Sequence, residues 1–264
     1  MELIKNTIRV GNSAGVLLPK EYLNTQVKII LQPLNIEKEV LDILLKEKIL
    51  PNVLGVYLVG SYARGEETIE SDIDILVITD NINDKIKFGK YDILLVSKDA
   101  VDEKMEKNIF PLLPMMTEAK AIMNKLLLNN YINISLTINN LRWHIETTKS
   151  AMNVVNEYIK LAEETNQDVS DAAAYSLILR LRTIYLIDCL KKGKNWTKKE
   201  FLDLIKKISG SLIAYERYLE SKNKNTKEFK LPIKEANKLM NYNIKQIKEI
   251  EKWLRKKKER GRKD

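Results

Sequence analysis

The chain has almost none of the residues on which much enzyme chemistry depends. It carries one cysteine, Cys189, and one histidine, His144, in 264 residues. A lone cysteine rules out an internal disulfide. Its setting, Ile184-Tyr185-Leu186-Ile187-Asp188-Cys189-Leu190, reads as a buried, inert thiol. A lone histidine argues against histidine-rich zinc sites and a Ser-His-Asp hydrolase. Glycine and proline are scarce, at 9 and 6, so long helices are expected. No apolar run approaches the roughly 18 residues needed to span a bilayer. The start, Met1-Glu2-Leu3-Ile4-Lys5-Asn6, has neither a basic n-region and apolar h-region nor a small-residue cleavage site, so a cytoplasmic protein is expected. Any chemistry must run on carboxylates, hydroxyls and basic groups.

Charge is plentiful and unevenly placed. The net charge is +9. Arg255 to Lys263 holds seven basic residues and one acidic, a local +6. Such a run reads as a solvated helix end, with salt-sensitive nucleic-acid contact as its functional alternative.

Three regions separate along the chain, giving an α+β protein. Residues 1–34 read as a small β unit: a strand at Thr7–Val10, a turn over Gly11–Gly15, a strand at Val16–Leu18, a turn at Pro19–Leu23 and a third strand at Val27–Leu31. So short a unit has too little core to stand alone and must dimerise or dock. Residues 35–136 alternate helix and strand, an α/β domain with a mixed sheet. Helices are expected over Ile36–Lys48 and Val101–Lys107. Apolar strands are expected at Val53–Val59, Asp72–Ile78 and Tyr91–Val96, with a polar turn region from Asp80 to Gly89 and a short strand at Ala119–Met123 before another helix. Residues 137–264 show no strand signal. Five amphipathic stretches, at 140–165, 170–192, 197–208, 212–221 and 232–257, predict an all-α bundle. Gly193 sits where a C-cap is expected, and Thr197 with Glu200 fits a capping box.

The segment that carries chemistry begins where the Val53–Val59 strand ends. Gly60 lets a phosphate approach the backbone, Ser61 offers a hydroxyl, and the following helix start presents N–H groups to an anion. Farther on come Asp72 and Asp74. At i and i+2 of a strand both carboxylates share one face, while Ile73 and Ile75 enter the core. Paired carboxylates repel, and a divalent cation relieves that repulsion; Mg²⁺ suits oxygen ligands shared with phosphates. Two ions would hold an attacking and a leaving oxygen together. Asp92, entering the Tyr91–Val96 strand, is the leading third carboxylate, as metal ligand and as acceptor of a hydroxyl proton. Asp80, Asp84 and Asp99 lie in turn or cap contexts and are weaker candidates.

Gly-Ser, ten residues, Asp-x-Asp, with Arg64-Gly65 inside and a later strand aspartate, resembles the minimal nucleotidyltransferases of the DNA polymerase β superfamily. The resemblance covers the second region. It implies NMP transfer from an NTP, with ATP the expected donor and pyrophosphate leaving. It implies that Gly60 and Ser61 hold the triphosphate, that Asp72, Asp74 and Asp92 bind two Mg²⁺ ions, and that Arg64 and Ser71 give phosphate or structural support. The acceptor is a hydroxyl on a small molecule, RNA or protein.

The flanks carry resemblances of their own. Ile8 to Lys20 looks like the swapped-hairpin domain of AbrB-type transcription factors. That implies a homodimer or a docked hairpin, with Arg9, Lys20 and Lys28 as DNA-contacting candidates. The helical third resembles the bundles that accompany minimal nucleotidyltransferases, including the HEPN type. His144 lacks the preceding basic residue of HEPN ribonucleases, so it is expected to decorate a long helix with Arg142 and Trp143. The strip Tyr175, Leu179, Leu181, Arg182, Tyr185 and Leu186 reads as core, with Arg180, Arg182 and Tyr185 as candidate acceptor-pocket residues. The alternative to an enzyme is a DNA-binding regulator or antitoxin-like module that uses the hairpin and has a weak transferase domain.

Overall fold

In a computed structural model of the chain, the described residues are 3, 5, 7–29, 35–223 and 231–260. They form a mixed α+β fold in two compact units, residues 1–39 and 40–264. None of the described helices is long and apolar enough to cross a membrane.

The first unit holds a hairpin, β1 (Ile8–Val10) and β2 (Ser13–Gly15), paired antiparallel with Val10 opposite Ser13. The expected turn over Gly11–Gly15 is therefore shorter. A two-residue Gly11-Asn12 link suffices to reverse the chain, and the second strand starts three residues earlier than Val16. Of the expected third strand, Val27, Lys28 and Ile29 carry no strand pairing, and Ile30 and Leu31 lie outside the described residues. Ile8, Val10, Leu17, Leu23, Val27 and Ile29 are all exposed. The helix α1 (Ile36–Lys46) is capped by Asn35, whose Oδ1 accepts from the Lys38 N–H.

The second unit is built on a five-stranded sheet. Its strands are β3 (Val53–Val59), β4 (Ile73–Thr79), β5 (Asp84–Phe88), β6 (Tyr91–Ser97) and β7 (Lys120–Met123), in the order β5-β6-β4-β3-β7. Only β4 and β6 run parallel; the other neighbours are antiparallel. The turn region expected at 80–89 thus contains an edge strand. Its Asp-Lys-Ile-Lys-Phe sequence has no buried face to produce an apolar pattern, and edge strands tolerate such charge.

The central strand β4 is buried on both sides. Ile73, Ile75 and Val77 fill one face. On the other, Leu76 and Ile78 join Tyr57, Val59, Leu94 and Val96 in a core with α3 (Lys98–Lys107), α4 (Leu112–Thr117) and α5 (Lys125–Ile132). The same core takes in Leu141 and Ile145 of α6 (Ile138–Glu164), Ile184 and Ile187 of α7 (Asp171–Lys192), and Ile247, Ile250 and Leu254 of α10 (Ile233–Arg260). A second cluster joins the far ends of these long helices to α8 (Lys198–Ser209) and α9 (Ile213–Asn223). Each fully buried aliphatic side chain contributes about 2 kcal/mol, so bundle and sheet are fastened through shared apolar packing.

Inside the bundle, Cys189 is buried as expected. Thr197 caps α8 by accepting from the Glu200 N–H, but the reciprocal half of the box is absent. The Glu200 carboxylate accepts from the Tyr185 hydroxyl, which in turn accepts from the Thr197 N–H. Of the expected core strip, Leu181 and Tyr185 are buried, whereas Tyr175 is exposed and stacks on Tyr218.

His144 does not decorate a surface. It is buried, edge-on to Phe110 and Trp143, and its Nε2 finds no hydrogen-bond partner among the described residues. Burial, and secondarily the Arg180 charge, lower its pKa to about 4. An unfolded histidine titrates near 6.5, so acid protonates the unfolded chain first. Stability falls as pH drops from about 6.5 towards 4, by up to about 3 kcal/mol from this group. Thermal melts between pH 7 and 4.5 should therefore show a steeper loss of Tm for the wild type than for His144→Phe.

Candidate active site

The β4–β6 register fixes two carboxylates. Asp74 lies directly beside Asp92, and Lys87 of β5 completes the row opposite Asp92. On the other side Val59 faces Asp74, one residue before Gly60. In β4 and β6 the residues two and four places on, Leu76, Ile78, Leu94 and Val96, share this face and lie in or against the core. The acids thus sit where the helical cover stops, half-buried and on an apolar floor.

Gly60 opens α2, Gly60–Arg64, with φ +71°. A Cβ at this position would fall on the Asp74 carboxylate, 2.9 Å from its Cγ. Backbone and carboxylate are therefore as close as the chain permits. Burial raises the Asp74 pKa, and the charges of Asp92 and then Asp72 raise it further. Asp72, Asp74 and Asp92 thus share one electrostatic site. Asp92 pairs with Lys85 at 3.0 Å, and Asp72 with Lys87 at 3.7 Å. Among the described residues no three His, Cys, Asp or Glu side chains already stand in a geometry that holds an ion.

The remaining candidates divide. Ser61 follows Gly60 within α2. That helix has five residues, too short for a sizeable macrodipole, so any phosphate cradle rests on Gly60 and the Ser61 hydroxyl. Ser71 is turned into its own loop: its Oγ accepts from the Thr68 N–H and pairs with the Thr68 hydroxyl. Arg64 donates to Glu66 and Glu118, both at 2.8 Å, and its guanidinium lies 4.1 Å from the Trp196 ring centre. Two of its N–H donors and one face are thus engaged, and its charge offsets part of the rise in the Asp74 pKa. Asp80 and Asp99 follow the C-terminal ends of β4 and β6, away from Asp74 and Asp92, and Asp84 opens β5 opposite Leu95, its Oδ1 accepting from the Lys85 N–H.

Two residues of this neighbourhood escape a sequence reading. Glu118, with a side chain only 6% exposed, accepts from the Gly60 N–H at 2.9 Å through one oxygen and from Arg64 through the other. It ties the start of α2 to its end. Trp196, between α7 and α8, meets Arg64 and also Arg182, whose guanidinium lies 5.3 Å from the ring centre. Next to it the Lys198 N–H donates to Glu66 at 3.3 Å. The bundle is thereby joined to the loop that precedes the acids. The only sequence sign of Glu118 was its position just before the short strand at 119–123. Trp196 showed none.

Of the three candidate acceptor-pocket residues, Tyr185 lines a cavity of about 470 Å³ with Asp188, Lys192, Glu200, Lys207 and Tyr242. Arg182 lies over the Trp196 ring, and Arg180 donates to Thr147 of α6.

Residues 37–116 match the model of the nucleotidyltransferase domain. No curated protein matches the chain. Among solved structures, a nucleotidyltransferase-like protein from Exiguobacterium sibiricum 255-15 is similar at 13% identity, covering 81% of this chain and 75% of its own, with a TM-score of 0.40. A spectinomycin adenyltransferase, AAD(9), from Enterococcus faecialis, crystallised with ATP and spectinomycin, is similar at 14% identity, covering 80% of this chain and 98% of its own, with a TM-score of 0.39. Similarity at that distance lends neither a substrate nor a residue role.

Proposed function

We propose that this chain, an enzyme by its nucleotidyltransferase domain, transfers NMP from ATP to an acceptor hydroxyl, with Mg²⁺ held by Asp72, Asp74 and Asp92. One observation carries the reading: the parallel register sets Asp74 beside Asp92, against a glycine whose missing Cβ leaves the carboxylate room.

The donor set fits the cation. A half-buried carboxylate whose pKa is raised by burial and by two acidic neighbours gains when a divalent cation joins it. Mg²⁺ needs only one or two protein carboxylates when substrate phosphates complete its sphere, so a preformed three-ligand cage is not required. When bound, it supplies charge neutralisation at phosphate oxygens.

The chain's own groups do the rest. The Gly60 turn admits the phosphate chain and the Ser61 hydroxyl donates to one of its oxygens. Asp92 accepts the proton of the acceptor hydroxyl as its oxygen bonds to the α-phosphorus. The bond from that phosphorus to the β-bridging oxygen breaks, and pyrophosphate leaves with the electron pair. Glu118 and Arg64 hold the Gly60 turn in place for this. The cavity beside Tyr185 is the proposed seat of part of the acceptor.

The test is transfer of label from α-labelled ATP with Mg²⁺ to separated pools of small molecules, RNA and protein, with matching pyrophosphate release. Transfer undiminished in an Asp72→Ala/Asp74→Ala chain rejects the reading.

Residues 1–34 are proposed to join two copies of the chain. The exposed apolar side chains of the hairpin unit, Ile8, Val10, Leu17 and Leu23 among them, support association over operator binding.

A further inference from the structure

The lysines opposite the acids are the least explained feature of this face. Lys85 and Lys87 stand two residues apart on the edge strand β5, so both project on the face that carries the carboxylates. Lys87 is in register with Asp92, yet its ammonium reaches Asp72, while Lys85 takes Asp92. Ile86 between them is half-buried, and both lysine side chains are more than 60% exposed. They are long, exposed arms that end on two of the three acids.

We infer that Lys85 and Lys87 are binding residues for the phosphates of the nucleotide: their ammoniums neutralise Asp92 and Asp72 while the site is empty, and pass to phosphate oxygens when a divalent cation takes the carboxylates. The inference rests on the function proposed above. A cation arriving among the acids competes for the same oxygens and repels the ammoniums. The incoming negative charge is the triphosphate, which such point charges on four-carbon stems suit. Lysines on an edge strand also discourage strand-to-strand aggregation, and that role alone would need no pairing with the acids.

The two roles differ in sign. Calorimetry on the full chain would measure Mn²⁺ alone, and separately α,β-methylene-ATP in saturating Mg²⁺, for the wild type, Lys85→Met, Lys87→Met and the double variant. Removing each exposed pair should tighten the cation by about two- to fivefold, while the analogue should weaken by about tenfold for the loss of a charge-assisted contact. Lys87→Arg, which keeps the charge, should hold the nucleotide near the wild-type affinity. Nucleotide affinity unchanged in the double variant, or both affinities moving the same way, overturns the inference and leaves the lysines as edge guards. A wild type that binds neither ligand overturns the proposed function as well.

Discussion

Asp74→Asn should give a folded protein whose nucleotidyl transfer is lower by about three orders of magnitude, the scale expected when a charge that stabilises the transition state is deleted. Asn keeps the shape and the strand, so the β4–β6 register survives. What it removes is the carboxylate that burial and two acidic neighbours render costly. A group whose charged form is disfavoured in the folded state lowers stability above its folded pKa, so the neutral side chain should leave Tm at pH 7 equal or higher. Lost activity with retained or gained stability is the mark of a residue kept for chemistry. Calorimetric melts beside the α-label assay give both numbers. Transfer within tenfold of the wild type, or a Tm well below it, would make Asp74 a structural residue.

Gly60→Ala should cost about a hundredfold in kcat, and here the comparison with Gly65 is decisive. Both glycines have φ near +70°, so an alanine at either pays about 1–2 kcal/mol of left-handed backbone strain. At Gly65 a Cβ meets nothing within 4 Å. At Gly60 it meets the Asp74 carboxylate, and the same turn carries the N–H that Glu118 holds. A carboxylate displaced by about an ångström loses about 10²-fold in a reaction that depends on alignment. In thermal melts Gly60→Ala should therefore lose the same backbone-strain share of stability as Gly65→Ala, and more for its contact with Asp74, while only Gly60→Ala loses the rate. Equal rates in the two would show that the close approach of Gly60 to Asp74 has no catalytic consequence.

The spacing of the candidate site was legible because its parts are local. A buried apolar run ending in Gly-Ser, and an Asp-x-Asp at the head of another such run, announce themselves through strand periodicity within a few residues. The observed β3 has the expected limits, Val53–Val59. The strand β4 begins one residue after the expected Asp72. Asp92 was reachable by the same logic, since it enters a third apolar run. The long helices were legible too, because their apolar faces repeat over many turns and two of their caps are spelled out by Thr197 and Gly193.

What the chain does not spell out locally is of two kinds. An edge strand paired on one side only, such as Asp84–Phe88, needs no buried face and so leaves no apolar alternation. Meetings across long sequence separations leave no trace at all: Glu118 with Gly60 and Trp196 with Arg64 depend on how strands and helices pack. Composition and pattern by themselves determined that this is an α+β protein with carboxylate rather than thiol or imidazole chemistry available. Strand order and helix docking decided which acids share a field, which arginine joins Glu118 to Trp196 and which lysines face the site, because those choices are made by packing between elements that no single segment encodes.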